Sequence, residues 1–311
     1  MNRTRAPAWG FAGLAAASFV LIVLGASVRA HGAGLACPDW PLCFGELVPT
    51  FDMWVAFEWS HRLLAGTVVL GLAALTLSVW RKREVLTPVK RPLILAWCLL
   101  VTQVVLGGLT VLLRLAPWTV TAHLLVGTSF CLVLLWTARD LFELGHAADP
   151  ERLPVSLSTR ILLALTALLL LAQVTLGGLV SSHAAGLACA SFPTCDGHSL
   201  APSFTGLMGL HVIHRLCAYA LFVSYLALAW LTRRAGRMGQ LARSGMRLVL
   251  LQIGIGALNV LLTLPVEVTA LHSALAAGLV LITGLVVRES VYARSEVPSL
   301  RHASKEALEI G

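Results

Sequence analysis

Long apolar stretches dominate the hydrophobic pattern of this chain. Eight of them run for roughly 20 residues, which is about the length that a helix needs to cross the hydrocarbon of a bilayer. We expect the first stretch to be a retained span, because it is long and no clean cleavage site of a signal peptide follows it. The predicted spans lie near Ala8–Val28, Trp59–Trp80, Pro92–Leu113, Trp118–Ala138, Arg160–Ser181, Gly209–Leu231, Met246–Pro265 and Val268–Arg288.

Composition supports an integral membrane protein. The 311 residues are 58% hydrophobic and 12% charged, whereas a soluble domain is typically about half apolar and a quarter charged. The net charge of +8 would suggest nucleic acid in a soluble protein. Here the basic residues lie between apolar runs, where they orient the chain in the membrane, so we expect lipid and no nucleic acid as a partner.

The distribution of Lys and Arg predicts the orientation. The N-terminal tail, the second, fourth and sixth connections and the C-terminal tail together hold most of the 23 basic residues. By the positive-inside rule, we predict a multi-pass protein of the plasma membrane with both termini in the cytoplasm. The basic residues predicted on the outer side are Arg29, Arg62, Arg114 and Arg215.

The chain also repeats itself. The segment from His31 to Cys43 matches the segment from His183 to Cys195 at a shift of 152 residues, and His123 matches His272 at a shift of 149. Four spans in each half give the two halves parallel topology, which implies a pseudo-twofold axis along the membrane normal. We therefore predict an all-α membrane protein, with eight transmembrane helices arranged as two pseudo-twofold-related four-helix bundles.

The repeat also divides the chain. A polar segment with Pro150 and Pro154 separates the halves, and the C-terminal tail is predicted to be a cytoplasmic extension without chemistry. The glycine motifs beginning at Gln103, Gln173 and Gln252 predict close helix contact, with one amide to bond across. The predicted units are an N-terminal half at 1–146, a linker at 147–158, a C-terminal half at 159–290 and the tail at 291–311.

Four histidines fall on the second, fourth, sixth and eighth spans, each within about six residues of the predicted outer end. Any one of them alone fits an interfacial histidine that bonds backbone or water. Four at one depth, following the repeat, favour a function, because ionisable residues within spans are costly. Two imidazoles in each half suit the two axial positions of haem iron, whereas zinc needs three or four ligands. The predicted iron ligands are His61, His123, His214 and His272.

Glu58 precedes His61 by three residues, a spacing that places both on one face of a helix, and His211 stands in its place in the second half. We favour a catalytic role for Glu58, which needs about 3 Å to the transferred proton or to a bridging water. The alternative is an acid that complements the dipole at a helix start, worth at most about 1 kcal/mol. His211 either supports a ligand or is an ordinary residue of the outer loop, and we slightly favour the loop.

Two arginines each follow a predicted ligand. Arg62 and Arg215 either extend to the lipid headgroups or pair with haem propionates. The sequence does not decide between the two roles.

Two cysteine pairs lie in the long outer loops, each pair separated by five residues. Because thiols outside the cytoplasm are readily oxidised, we predict the disulfides Cys37–Cys43 and Cys189–Cys195. A structural role is the simpler interpretation, and a redox role of Cys37–Cys43 is the alternative. The other three cysteines are predicted to be buried packing residues: Cys98, Cys131 and Cys217.

These motifs together resemble the haem A synthase family over nearly the whole chain. The resemblance rests on the loop Gly34-Leu-Ala-Cys37-Pro-Asp-Trp-Pro41-Leu-Cys43, on Glu58-Trp-Ser-His61-Arg62, His123, His214-Arg215 and His272, and on the second cysteine loop. Members oxidise a ring methyl of haem O to a formyl group, which gives haem A for the terminal oxidase. The resemblance implies that this chain does the same.

The resemblance also distributes the roles. It implies that His61 and His123, with Arg62, bind the substrate haem O, and that the C-terminal half binds a resident haem b through His214, His272 and Arg215. Glu58 occurs in one half only, which agrees with one reacting and one resident haem. We expect the methyl to be oxidised in successive two-electron steps, each adding oxygen, until a geminal diol loses water. Glu58 would serve as the base, or as an anion that stabilises a developing cation.

Partners follow from the resemblance as well. A haem O synthase and the terminal oxidase are implied as neighbours, together with an electron partner that the sequence does not identify. Two other classes of function stay open: a di-haem b cytochrome that only transfers electrons, and a haem carrier or insertase. Resolving the extracted haems by chromatography would separate these classes from the synthase.

Overall fold

Eight long α-helices build the protein in the computed structural model, which describes residues 4–144 and 155–293. All eight are long and apolar enough to cross a membrane, as predicted. A short 3-10 helix, Ala185–Leu187, lies between the fifth and sixth. The helices are α1 Arg5–Ala30, α2 Met53–Trp80, α3 Arg83–Leu112, α4 Pro117–Glu143, α5 Leu157–Ser182, α6 Gly206–Leu231, α7 Gly236–Leu261 and α8 Val266–Tyr292.

Several helices begin earlier than the apolar runs predicted. α2 begins at Met53 rather than near Trp59, because the apolar residues from Met53 to Phe57, which precede Glu58, belong to the same helix. Asp52 caps this start, and its side chain accepts a hydrogen bond of 2.8 Å from the Val55 amide. As a consequence, Glu58 lies in the second turn of α2 rather than at its first residues.

The helices pack as two groups, and four of the eight helices form the contact between the groups. In the N-terminal group α1 packs along α2 and α4, and α3 packs along α4; in the C-terminal group α5, α6, α7 and α8 pack in sequence. The groups meet where α1 lies against α8 and where α4 lies against α5 and α8. The packing is not uniform, since α2 approaches α3 far less closely than α6 approaches α7. The pseudo-twofold relation stays a prediction.

The apolar core clusters do not extend to one end of the bundle, where polar side chains lie instead. The two cysteine loops, which connect α1 to α2 and α5 to α6, lie at one end, here called the loop end. The core of the N-terminal group extends from the opposite end as far as Val68 on α2 and Leu100 on α3. In the C-terminal group, Leu170, Leu221 and Tyr225 belong to the corresponding apolar cluster. The predicted histidines lie beyond these clusters, towards the loop end.

Tight turns join α3 to α4 and α7 to α8, as predicted. Each turn contains two consecutive residues with positive φ, and its second residue contacts a glycine of the cysteine loop in the same group. A Cβ on Gly34 would lie 3.4 Å from Leu115, and one on Gly186 would lie 3.0 Å from Leu264. The positive-φ residues are Arg114 and Leu115 in the first turn and Thr263 and Leu264 in the second.

The predicted linker and tail fall largely outside the described residues. Residues 147–154 of the linker and 294–311 of the tail lie there. Ser156 caps α5, and its hydroxyl accepts a hydrogen bond of 3.3 Å from the Thr159 amide. The C-terminal helical group therefore begins at Leu157 and ends at Tyr292, each two residues beyond the predicted limits of 159 and 290.

Candidate functional site

The four predicted histidines lie on α2, α4, α6 and α8, six to eight residues from the helix starts at the loop end. Those on α6 and α2 are slightly deeper than predicted, because their helices begin earlier. His61 and His123 lie close enough to interact electrostatically, and so do His214 and His272. The structure therefore brings together one pair of imidazoles in each group.

Each histidine ring lies against a glycine of the preceding helix. A Cβ on that glycine would lie 2.9 Å from Cε1 of His61 and 3.2 Å from Cε1 of the other three rings. A methyl group at any of these glycines would therefore occupy space that the ring uses. The sequence motifs predicted close contact at three of these glycines but missed Gly25, which the shift of 152 aligns with Gly177. The pairs are Gly25 with His61, Gly107 with His123, Gly177 with His214 and Gly256 with His272.

The two nitrogens of these rings have different surroundings. Nδ1 of all four histidines is buried, and within the described residues it has no hydrogen-bond partner. The amide nitrogen of Gln103 lies 3.2 Å from Nε2 of His123, and that of Gln173 lies 3.4 Å from Nε2 of His214. Because an amide nitrogen donates, each Nε2 presents its lone pair there. That lone pair is the one a metal would take.

This arrangement fits axial ligation better than a compact metal site. Within residues 4–144 and 155–293, no group of three or more His, Cys, Asp or Glu residues is placed to hold a metal ion. Structural zinc takes four ligands, and catalytic zinc takes three and a water. Haem iron takes one imidazole on each face, so the paired rings, each seated on a glycine, fit haem.

Glu58 is buried, and its carboxylate binds the first cysteine loop. Oε2 accepts a hydrogen bond of 2.8 Å from the backbone amide of Cys37, and Oε1 accepts one of 2.5 Å from the Arg62 guanidinium. The position of Glu58 in the second turn weakens the helix-dipole interpretation, since that effect falls off within the first turn. Fastening the loop is a role that the sequence did not reveal.

Both arginines donate to main-chain carbonyls of the neighbouring cysteine loop. Arg62 donates to Asp39 at 2.8 Å and to Cys37 at 3.3 Å. Arg215 donates to Cys189 at 3.2 Å and to Thr194 at 3.0 Å. These contacts add a third role to the two predicted ones, headgroup contact and propionate pairing, which stay untested.

His211 is a helical residue rather than a residue of the outer loop. α6 begins at Gly206, so His211 lies in its second turn, and its side chain is buried. Its Nδ1 donates to the Ala185 carbonyl oxygen at 3.0 Å. The slightly favoured loop prediction was therefore wrong: His211 belongs to the helix and contacts the loop only through its side chain. His211 fastens the second cysteine loop where Glu58 fastens the first.

Both predicted disulfides are present. The sulfur atoms are 1.98 Å apart in Cys37–Cys43 and 2.06 Å apart in Cys189–Cys195. Of the three free cysteines, Cys131 is buried, Cys217 is partly buried and Cys98 is exposed on the surface of α3. The prediction of a buried packing role was wrong for Cys98, because an apolar run does not tell which face of a helix points outward.

An aspartate shapes the first cysteine loop. The Asp39 carboxylate accepts hydrogen bonds from the backbone amides of Phe44, at 2.7 Å, and Gly45, at 2.8 Å. The bond from Gly45 is the largest of the effects that lower the pKa of Asp39, and the charge of Arg62 acts in the same direction. The ionised form of Asp39 therefore stabilises the closed turn of the loop.

Comparison with known proteins identifies the family of this chain. A family model described as cytochrome oxidase assembly protein, COX15-CtaA, matches residues 8–57 and 50–283. The chain belongs to this family. It is 30% identical to a haem A synthase of Shewanella oneidensis, over 91% of this chain and 96% of that protein. It is also 28% identical to a haem A synthase of Lysinibacillus sphaericus, over 88% of this chain and 92% of that protein.

Family membership confirms the resemblance drawn from the loop, the histidines and the second cysteine pair. Together with the eight apolar helices, it makes the chain a multi-pass membrane protein. It also implies a haem-related substrate and cofactor in a membrane setting.

Proposed function

We propose that this protein is a haem A synthase, a membrane oxidoreductase that converts a ring methyl of haem O into the formyl group of haem A. The observation that carries the proposal is an asymmetry between two matching histidine pairs. Both pairs have the same glycine seats, but a buried carboxylate, Glu58, accompanies only the first, and His211 stands in its place in the second. One reacting and one resident haem require this difference.

In this proposal each helical group binds one haem. His61 and His123 bind the iron of the substrate haem O in the N-terminal half, residues 1–146. His214 and His272 bind a resident haem b in the C-terminal half, residues 159–290. When bound, haem b supplies one-electron transfer. The glycine seats hold the rings in place, and the Nε2 lone pairs of His123 and His214, now facing glutamine amides, are available for ligation.

Glu58 is proposed to stabilise positive charge that develops as the methyl group is oxidised in successive two-electron steps. The Cys37 amide and the Arg62 guanidinium each bind one carboxylate oxygen and so fix its position. Each oxygen keeps a further lone pair, because an ionised carboxylate has about four acceptor sites. A negative charge that is held in place before the reaction needs no reorganisation during it. Arg62 and Arg215 position their loops and are also close enough in sequence to the ligands to meet haem propionates.

Exchange of Glu58 for Gln tests this role. We expect the variant to keep both haems and to lose roughly 100-fold or more of its haem A formation, the usual cost of removing an electrostatic group from a reacting centre. The measurement is chromatography of the haems extracted from the purified protein. Gln retains an acceptor for the Cys37 amide, so the loop should stay closed and its disulfide intact.

Glu267→Gln provides the control, because Glu267 is the acid in the first turn of α8. It should leave haem A formation unchanged. Normal haem A yield from the Glu58→Gln protein would remove Glu58 from the mechanism.

Orientation and partners complete the proposal. The loop end is proposed to face outward from the plasma membrane, with both termini in the cytoplasm and the haem sites near the extracytoplasmic side. The distribution of basic residues and the two disulfides at the loop end support this orientation. A haem O synthase, the terminal oxidase and an electron partner are proposed neighbours.

The likeness of the two histidine pairs favours a second candidate, a di-haem b cytochrome that transfers electrons without a substrate haem. The extracted haems distinguish the two. Haem O or haem A beside haem B supports the synthase, and haem B alone supports the cytochrome.

A further inference from the structure

The first cysteine loop places an indole ring against α3. A Cβ on Gly108 would lie 3.0 to 3.2 Å from three atoms of the Trp40 ring, so the ring lies flat on the helix where a glycine makes room for it. Trp40 itself is 39% exposed. The preceding residue, Gly107, is the seat of the His123 ring. Trp40 therefore contacts α3 at the level of the proposed substrate-haem site.

The loop on both sides of Trp40 is fastened to α2. Arg62, which follows His61, donates to the carbonyl oxygens of Asp39 and Leu42. The loop thus runs from α2 to α3, the two neighbouring helices that pack loosely against each other. Farther from the loop end these helices are joined by a hydrogen bond of 3.0 Å from Trp97 to Thr76. Trp40 lies on the α3 side of this loosely packed pair of helices, at the loop end.

The C-terminal group carries different residues at the equivalent positions. The repeat aligns Trp40 with Phe192 and Gly108 with Ala257. Phe192 lies beneath the Arg215 guanidinium, whose carbon is 5.8 Å from the ring centroid. α6 and α7 also pack against each other more extensively than α2 and α3 do. The loosely packed helix pair with an indole ring against it therefore belongs to the same half as Glu58.

We propose that Trp40 closes the side of the substrate-haem site between α2 and α3, and that it retains the tetrapyrrole while its methyl group is oxidised. This inference rests on the proposed function. Haem O and its partly oxidised alcohol are amphiphilic, so an open side would let them pass into the surrounding lipid between the oxidation steps. Trp40 is a positioning residue, since it confines the substrate and takes no part in the chemistry.

Retention of haem by the whole protein in lipid nanodiscs tests the proposal. Protein loaded with haem O and haem B is mixed with an excess of empty phosphatidylcholine vesicles, and each haem that remains bound is quantified by chromatography over time. For Trp40→Ala we expect loss of haem O at least fivefold faster than in the parent, with unchanged loss of haem B. During turnover, the alcohol should appear in the vesicles.

Gly108→Ala should act in the same direction but less strongly, because the added methyl displaces the indole by only a few tenths of an ångström. The aligned residue of α7, Ala257, is already alanine. Trp118→Ala is the matched control: it removes an exposed indole from the first turn of α4 at the loop end, and it should leave the loss of both haems unchanged.

Two outcomes overturn the inference. Equal rates of haem O loss from the parent and from Trp40→Ala would show that the ring is no barrier. Faster loss of both haems together, or loss of the Cys37–Cys43 disulfide, would show that Trp40 only maintains the fold. If the protein without substitutions binds haem B alone, the proposed function is overturned, and this inference with it.

Discussion

At the scale of single residues, the site depends on glycines as much as on histidines. An imidazole that lies against a bare helix backbone has its ring orientation restricted by that contact, and a ligand must be restricted in this way to bind with defined geometry. The four rings share this packing, although their buried Nδ1 atoms have no hydrogen-bond partner among the described residues. Packing against glycine is therefore the contact that all four rings share, and glutamine amides add a hydrogen bond at His123 and His214 only.

Substitution of Gly25 by Ala tests this conclusion. The new Cβ would lie 2.9 Å from Cε1 of His61, so the ring must move away. We expect a severalfold lower content of the haem bound by the N-terminal half, and an altered low-spin signal of that haem in electron paramagnetic resonance spectra. The haem of the C-terminal half should be unaffected.

Gly13→Ala on the same helix is the control, since a Cβ there meets no atom within 4 Å. It should leave both haems unchanged and can stabilise α1, because alanine is about 1 kcal/mol more favourable than glycine in a helix. The same spectra and haem content in Gly25→Ala and Gly13→Ala would contradict the proposed packing role.

The sequence predicted the histidines and close helix contact at three of their glycines, but it did not predict Gly25. His61 and His123 could be found because titratable residues stand out in apolar runs and follow the repeat. Gly25 could not, since the importance of a glycine depends on which face of α1 meets α2, and a run without amphipathic pattern does not define that face. The alignment of Gly25 with Gly177 at a shift of 152 was the available signal.

At the scale of elements, the cysteine loops are fastened to the helices that carry the ligands. The cysteine spacing was enough to predict the disulfides, but the contacts that hold each loop are made to backbone carbonyls and amides, which the sequence does not show. Glu58 and Arg62 hold the first loop, and His211 and Arg215 hold the second. The residues that were predicted for chemistry thus also position the loops.

The closure of the first loop should depend on pH through Asp39. The Gly45 amide lowers the pKa of this carboxyl group, so the ionised form is favoured in the folded loop. The stabilisation is fully present above the ordinary pKa of aspartate, about 3.9, and it is lost as the pH falls through the lowered value. We expect the Phe44 and Gly45 amides to exchange hydrogen faster at acidic pH, after correction for the intrinsic exchange rate.

Asp39→Asn provides the comparison, because an amide side chain does not titrate in this range. Exchange at the two amides of this variant should not change with pH beyond the intrinsic rate. Parallel pH profiles in the parent and in Asp39→Asn would exclude Asp39 as the titrating group.

At the scale of the whole molecule, polar contacts join the two helical groups at both ends. At the loop end, Arg29 of α1 donates to the Ser181 hydroxyl of α5 at 2.7 Å. At the opposite end, the Arg288 guanidinium of α8 binds Asp140 of α4 at 2.6 Å and Glu143 at 2.9 Å. Between these ends the groups meet through helix packing and through a hydrogen bond of 3.1 Å from the Trp136 indole of α4 to the Gly284 carbonyl oxygen of α8. The charged cluster is a second polar contact between α4 and α8.

The cluster around Arg288 follows from the repeat. The shift of 149 aligns Arg139-Asp140 with Arg288-Glu289, so α4 and α8 each carry a basic and an acidic residue near the same end. From the sequence, basic residues at this end predicted only the orientation of the chain. The pairing of Arg288 with Asp140 and Glu143 could not be predicted, because the contact of α4 with α8 depends on how the two halves associate, and the repeat alone does not specify that association.

Arg288→Ala should therefore destabilise the association of the helical groups. The Arg288 side chain is 2% exposed, whereas Asp140 is 36% and Glu143 28% exposed, so water can partly solvate the carboxylates that the substitution uncovers. Removal of one partner from a buried ion pair costs about 3–5 kcal/mol. Here we expect about 2–3 kcal/mol, close to the range for a hydrogen bond to a charged group. The free energy of unfolding in mixed micelles, followed by tryptophan fluorescence, measures the loss.

Arg233→Ala is the matched control, since Arg233 is exposed and stacks on Trp230 at 4.6 Å. It should change the free energy of unfolding by no more than about 0.5 kcal/mol. Asp140→Asn combined with Arg288→Ala should cost less than the sum of the two single substitutions, because the residues interact directly. Additive effects, or equal stability of the Arg288 and Arg233 variants, would show that apolar packing alone holds the groups together.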